Sequence, residues 1–191
     1  MEPVTKRQKF DPQVMSFRLN LLPDEIIIEI LLSVNIKDIV QCMSVNKRLR
    51  AIAHDSSLWE AMHLKSKEGV PAKLLKIILQ NGCKYFSFPY VKEIKGTVQF
   101  NQNVKLKYLY FTYRSNADDV LLDLAASCFG LEKLAISGLM DINPKGFAKV
   151  LKCIIQNSST MKVLSIIFCK IPDKVLELIV TLCVELQGIS Y

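Results

Sequence analysis

The residues of this chain that could do chemistry are its cysteines and histidines. Six cysteines lie at least 14 residues apart, and none belongs to a C-x-x-C pair. They are Cys42, Cys83, Cys128, Cys153, Cys169 and Cys183. With only two histidines, His54 and His63, the sequence lacks the clustered ligands of a zinc site. The spacing therefore predicts small, buried packing cysteines rather than a metal centre.

Catalytic groups are equally sparse. A nucleophile at Cys42 or Cys83 would need a neighbouring base, and only the two histidines could supply one. The paired acids Asp118 and Asp119 stand at a predicted helix start, where capping explains them. The sequence also contains no glycine-rich phosphate loop. We therefore expect a protein that is not an enzyme, needs no cofactor and acts by binding.

The composition predicts a folded chain with a sizeable core. Of its 191 residues, 50% are hydrophobic and 23% are charged. No run approaches the roughly 20 apolar residues of a membrane span, and residues 1–12 lack the apolar segment of a secretory signal. These features predict an intracellular protein without a membrane partner.

The net charge of +7 is unevenly distributed. It divides into +2 for residues 1–18, −2 for residues 19–64 and +7 for residues 65–191. The lysines of the last segment are scattered, which predicts a solvated face rather than a nucleic-acid site.

Residues 1–18 are predicted to form a flexible basic tail, because they show no apolar periodicity. The cluster of Lys6, Arg7 and Lys9 fits a nuclear import signal, and it fits a plain solvated tail as well. We expect localisation in the nucleus and cytoplasm.

Residues 19–64 have the pattern of a small helical domain. Pro23 and the acids after it predict a helix over 23–32, because proline and carboxylates suit a first turn. Apolar residues at intervals of three to four predict a second helical stretch from Asp38, broken near Ser44. A turn with capping chemistry is expected at residues 55–57.

The segment Leu22–Trp59 resembles the F-box. The resemblance rests on an opening Leu-Pro-x-Glu, an Asp before the second helix, Val45 ahead of a Lys-Arg pair, and a closing Asp-x-x-Leu-Trp. Asn46 and Leu49 stand where most F-boxes carry Cys and Trp.

The F-box resemblance implies binding to the adaptor protein of an SCF (cullin-RING) ubiquitin ligase and, through it, to the cullin. It implies that four residues of the first helix face the adaptor and that three more pack the box or close the contact. These are Leu22, Pro23, Ile26 and Ile30, and then Val45, Leu49 and Trp59. The alternative is that all of them merely form the domain's own core.

Residues 65–191 contain an internal repeat. Four segments share an L-x-x-L-x-L frame at spacings of 25, 30 and 25 residues, and a weaker copy precedes them. The frames are Leu106–Phe111, Leu131–Ile136, Met161–Ile166 and Leu186–Tyr191, with Cys83–Phe88 as the weaker copy. Each frame alternates like a strand, and helical patterns lie at 72–80, 118–128, 144–156 and 172–184. The pattern predicts about four to five strand–helix repeats of leucine-rich type.

Cysteines beside the frames make these repeats similar to the cysteine-containing subtype of leucine-rich repeat. Cys128 and Cys183 precede frames by three residues, and Cys169 follows another. The expected fold is α/β, an N-terminal helical F-box followed by a short leucine-rich-repeat solenoid. Because the last frame ends at Tyr191 without a polar capping unit, we expect an array truncated at the C-terminus.

Side chains between the frame leucines are expected to line the concave face and bind a protein target, since side chains alternate along a strand. The candidates are Tyr85, Tyr108, Tyr110, Lys133, Val163 and Ile167. Lys133 favours an acidic or phosphorylated target segment. The tyrosines could bind the target or only pair across neighbouring strands for stability.

Together these features predict the substrate-recognition subunit of an SCF E3 ubiquitin ligase. The alternatives are a repeat scaffold without a ligase role and a shortened competitor of fuller F-box receptors.

Overall fold

The computed structural model describes residues 19, 21–65, 69–89, 93–97, 99–100, 104–112, 118–138, 144–167, 173–183 and 185–190. The predicted basic tail, with Lys6, Arg7 and Lys9, lies outside these residues, as do Cys169 and Tyr191. The chain divides into two compact units, Met1–Leu58 and Trp59–Tyr191.

The described elements are helices followed by alternating strands and helices, which confirms the expected mixed α/β class. The α-helices are α1 (Asp24–Leu32), α2 (Ile36–Cys42), α3 (Lys47–Ala53), α4 (Ala72–Gln80), α5 (Asp118–Ser127), α6 (Pro144–Asn157) and α7 (Asp173–Leu182). The strands are β1 (Ala61–His63), β2 (Val70–Pro71), β3 (Tyr85–Phe88), β4 (Ile94–Lys95), β5 (Tyr108–Thr112), β6 (Lys133–Ser137), β7 (Val163–Ile167) and β8 (Gly188–Ser190).

In the first unit, local capping sets the helix starts. Asn35 caps α2 by accepting hydrogen bonds from the backbone amides of Lys37 and Asp38. Helix α1 follows Pro23, and its first turn contains acidic residues that suit the positive end of the helix dipole. The core side chains are Ile27, Leu31, Ile39, Leu49, Ile52, Ala53 and Leu58.

The turn expected at residues 55–57 is present as a capped 3₁₀ segment, Ser56–Leu58. The carboxylate of Asp55 accepts hydrogen bonds from the backbone amide of Ser57 at 2.9 Å and from its hydroxyl at 2.6 Å. These bonds hold the turn before Leu58, the last residue of the first compact unit. Residues 61–63 pair with 85–87 as a strand of the second unit.

The second unit contains a parallel sheet of six strands in the order β1-β3-β5-β6-β7-β8. Each strand therefore lies beside the next one along the chain, apart from the small β2–β4 pair. Alternate side chains of β3, β5, β6 and β7 point into the core, as the frames predict. They are Phe86, Phe88, Leu109, Phe111, Leu134, Ile136, Leu164 and Ile166, all buried.

Helical connections suit parallel neighbours, because a strand that restarts in the same direction needs a crossover. Helix α5 contacts α6, and α6 contacts α7, so consecutive helices lie side by side. Their apolar faces are buried through residues such as Leu124, Phe147, Leu151 and Ile179. These side chains and the inward row of the sheet form the core of this unit.

In its described residues, 89, 93–97, 99–100 and 104–107, the link between β3 and β5 contains no helix. It contains β4 and an isolated bridge between Val104 and Cys128. Two hydrogen bonds tie it to α5: the Phe100 amide donates to Asp123 Oδ2 at 2.7 Å, and the Ser127 hydroxyl donates to the Phe100 carbonyl at 3.0 Å. Hydrogen bonds between side chain and backbone therefore fix Phe100 to α5.

Candidate protein-interaction surfaces

Arg48 holds the corner where the chain enters α1. From α3, its Nε donates to Asp24 Oδ1 at 2.9 Å, and its Nη2 donates to the Leu22 carbonyl oxygen at 2.5 Å. An arginine can do both because its planar guanidinium presents several N–H donors in a fixed fork. The Leu22–Asp24 corner is therefore fixed against α3.

Beyond this corner, α1 places apolar side chains in solvent. Ile27 and Leu31 are buried, whereas Ile26 and Ile30 are each 41% exposed. Residues 23, 26 and 30 share one helix face, since positions three and four apart are neighbours on a helix. We call Leu22, Pro23, Ile26 and Ile30 the helix-1 surface. Pro23 is exposed and Leu22 is half-buried.

The three other expected adaptor residues separate into two groups. Val45 lies between α2 and α3 and is 67% exposed, so it is available to a partner. Leu49 and Trp59 are buried, and Trp59 belongs to the second unit. Buried side chains of this kind suit the packing role among the two roles expected for them.

On the second unit, the expected target-binding residues lie on the side of the sheet opposite the core. Tyr85 pairs in register with Tyr108, Tyr108 with Lys133, and Lys133 with Val163. We call these four residues the tyrosine row. All four are exposed or half-buried, and Tyr85 is 47% exposed.

Tyr110 and Ile167 lie on the same face, outside the tyrosine row. Tyr110 is in register with Ser87 on one side and Ala135 on the other. Ile167 ends β7 and is 44% exposed. The structure therefore brings the six expected residues onto one side of the sheet.

A cleft of about 340 Å³ opens at the start of the tyrosine row. Its lining residues are Tyr85, Lys107, Tyr108, Glu132 and Lys133. Two aromatic rings and three charged side chains thus surround a space that can hold one or two side chains of a partner. We call this space the tyrosine cleft.

Sequence reasoning missed the ion pairs at the start of the strands. Glu132 binds the ammonium groups of Lys107 and Lys162, one through each carboxylate oxygen and each at 3.1 Å. Glu60 pairs likewise with Lys84 at 2.8 Å. Each of these residues directly precedes a strand. The charged second position of four of the five frames was the signal that could have found the lysines and Glu132, whereas Glu60 lies outside the frames.

The bridged carboxylate has a shifted pKa. Hydrogen bonds from Lys162 and then Lys107, together with their positive charges, lower the pKa of Glu132 below its ordinary value. Glu132 is therefore ionised at neutral pH, and its charge is shared between two lysines.

The described cysteines are poor nucleophiles. Burial raises the pKa of the Cys83 and Cys128 thiols to about 12, with Cys153 adding to the effect at Cys128. The pKa values of Cys42, Cys153 and Cys183 are also raised, chiefly by burial. Since the thiolate is the reactive form, these environments favour the packing role that their spacing predicts.

The remaining candidate groups are a histidine, metal ligands and membrane-spanning helices. His63 Nδ1 lies 3.0 Å from Ser87 Oγ on the solvent side of the sheet. Within the part of the chain that the structure describes, no cluster of three potential metal ligands occurs. Over the same residues, no helix is long and apolar enough to cross a bilayer.

Comparison with protein families finds one match, in the N-terminal part of the chain. The F-box-like family model matches residues 19–65, which contain α1, α2, α3 and the Arg48 corner. Residues 19–65 are an F-box-like domain. Domains of this kind bind the adaptor of SCF complexes and are typically found in their non-catalytic subunits. A search of curated proteins found no match to the chain.

Proposed function

We propose that this protein is the substrate-recognition subunit of an SCF E3 ubiquitin ligase. The F-box-like domain binds the adaptor, and through it the cullin, and the sheet face of the second unit binds the target protein. The observation that carries the proposal is the F-box-like match over a unit whose first helix exposes Ile26 and Ile30.

The exposed apolar side chains support adaptor binding. Side chains such as Ile26 and Ile30 gain about 25 cal/mol for each Å² of apolar surface removed from water, so a partner that covers them gains affinity. The Arg48 bonds support it further, because an ordered corner loses less conformational entropy on binding. Packing within the domain's own core does not account for Ile26 and Ile30, since both side chains are exposed.

We also propose that the second unit is a leucine-rich-repeat array of the cysteine-containing type. Two observations support this: the frames pair in register, and consecutive strands are neighbours in one parallel sheet. Within the F-box proteins, the weak first frame Cys83–Phe88 after the F-box makes the chain most like the S-phase kinase-associated F-box protein.

The experiment is affinity purification of the tagged full chain from cell extract, with immunoblots for the adaptor and the cullin. The wild type should retain both. Ile26→Ser with Ile30→Ser should lose both, because the helix-1 surface becomes polar without any change to buried side chains. The matched control is Leu32→Ser, which alters an exposed leucine on another side of the same helix. Retention of the adaptor by the double variant would contradict the proposal.

A repeat scaffold without a ligase role is the second candidate, because the tyrosine row lies outside residues 19–65, the range of the F-box-like match. The same purification separates the two. Partners captured with neither adaptor nor cullin would favour the scaffold.

A further inference from the structure

The tyrosine cleft is lined by side chains whose net charge is positive. Glu132 lines it, but both oxygens of that carboxylate already bind Lys107 and Lys162. Lys133 also lines the cleft, is exposed, and makes no ion pair with any residue that the structure describes. The charged residues that line the cleft, Lys107, Lys133 and Glu132, sum to a net charge of +1. The cleft therefore attracts an anion to Lys133.

The position of Glu132 also limits which anion fits. A carboxylate side chain carries one negative charge, whereas a phosphorylated residue carries close to two at neutral pH. One negative charge balances the lining charge of +1, whereas a second would exceed it and would face the Glu132 carboxylate. Beside the anion site, the rings of Tyr85 and Tyr108 are adjacent in register and provide an apolar wall with hydroxyl groups at its edge.

The tyrosine row continues to an apolar side chain. Val163 follows Lys133 in register on β7 and is exposed. Strand β7 is two strands away from β5, which carries Tyr108. At about 4.8 Å between neighbouring strands, the separation is roughly 10 Å. A peptide in the extended polyproline II conformation advances about 3.1 Å per residue with about three residues per turn, so side chains three residues apart point to the same side. A segment of this conformation that crosses the strands therefore spans the distance in about three residues, with both side chains toward the sheet.

We propose that the tyrosine row binds an extended acidic segment of a protein target. A Glu or Asp residue that lies over Tyr108 extends its side chain into the tyrosine cleft and pairs with Lys133, and an apolar side chain three residues further toward β7 contacts Val163. This inference rests on the proposed function in one respect only, that the sheet face is where the target binds.

The probe is a fluorescein-labelled Gly/Ser octapeptide that carries one Glu and, three positions away, one Leu. It is made in both orders and titrated with the purified full chain by fluorescence anisotropy. Three comparison peptides carry Gln for Glu, Leu directly next to Glu, or phosphoserine for Glu. The protein variants are Lys133→Gln and Val163→Ser, with Lys174→Gln on α7 as the control for loss of one exposed lysine.

The wild type should bind one order of the Glu peptide about two- to fivefold more tightly than its Gln version, the range for a solvent-accessible ion pair. Lys133→Gln should abolish that difference, and Val163→Ser should abolish the preference for Leu at three residues. Lys174→Gln should change neither. Circular dichroism of each variant should match the wild type, because the altered side chains are exposed.

Equal binding of the Glu and Gln peptides, or the absence of any binding, would overturn the inference. Tenfold tighter binding of the phosphoserine peptide would overturn it too and would make a phosphorylated segment the occupant. Adaptor co-purification is read separately on the same variants. Its retention would show that the failure concerns the target segment and not the ligase role.

Discussion

Replacing Arg48 by Met tests whether the Leu22–Asp24 corner supports adaptor binding. The change removes the bonds to the Leu22 carbonyl and to Asp24 and keeps a side chain of similar length. The ion pair is solvent-accessible, with 36% of the Arg48 side chain and 57% of the Asp24 side chain exposed, so it contributes at most about 1 kcal/mol. The bond to the carbonyl adds about 1 kcal/mol. We expect a local loss of about 1–2 kcal/mol.

Hydrogen exchange with mass spectrometry measures this loss where it occurs. In peptides that cover residues 19–32, a loss of that size should speed amide exchange about 5- to 30-fold. Adaptor co-purification should fall as well, because the helix-1 surface begins at this corner.

Arg50→Met is the matched control. Arg50 also donates from α3 to a backbone carbonyl, that of Met43, at 2.7 Å, but it does not touch the corner. The Arg50→Met variant should leave amide hydrogen exchange over residues 19–32 and adaptor binding unchanged. If Arg48→Met alters exchange over residues 19–32 by less than twofold, the corner does not depend on Arg48 and the reasoning fails.

Four further predictions concern the rest of the chain. Trp59→Ala should destabilise the protein by about 3–5 kcal/mol, because the indole is fully buried, and an unchanged thermal midpoint would refute this. Tyr108→Ser with Tyr110→Ser should weaken target capture with circular dichroism and adaptor binding intact, whereas loss of the folded spectrum would show a structural role. Glu132 has a lowered pKa, so the stability that its ion pairs add is present above its unfolded value near 4.5 and is lost as pH falls through the folded pKa. The urea midpoint should therefore fall more on acidification in the wild type than in Glu132→Gln, and parallel profiles would refute the bridge. Replacing Lys6, Arg7 and Lys9 by Ala should reduce nuclear fluorescence of a tagged full chain, and unchanged distribution would favour a solvated tail.

The strand–helix part of the fold was predictable because its signal repeats. The helix expected at 72–80 is Ala72–Gln80, and the frame leucine at 109 is in register with the one at 134. Apolar residues recur every second position in a strand and every three to four positions in a helix, because one face of each element is buried. This periodicity can be read directly from the sequence. The link between β3 and β5 was not predictable, because side-chain bonds such as Phe100 to Asp123 hold it and no periodicity reports them.

The candidate sites likewise contain one part that the sequence predicts and one part that it does not. Which side of each strand faces solvent follows from alternation, so the tyrosine row could be foreseen from its residues. The ion pairs could not, because Lys107 and Glu132 are 25 residues apart and meet only through the strand register. The F-box pattern also does not indicate that Trp59 belongs to the second compact unit rather than to the first.

The two departures from the common F-box pattern act inside the first unit. The Asn46 side chain caps α3 by accepting from the Leu49 amide at 2.8 Å, a contact of about 1 kcal/mol that a cysteine would make poorly. Leu49 is buried, and a tryptophan there would need more space than a leucine occupies. Neither residue lies on the helix-1 surface, whereas Ile26 and Ile30 remain exposed on it. Adaptor affinity in this chain should therefore depend on the exposed face of α1 and on the corner that Arg48 holds, more than on the positions where the motif is unusual.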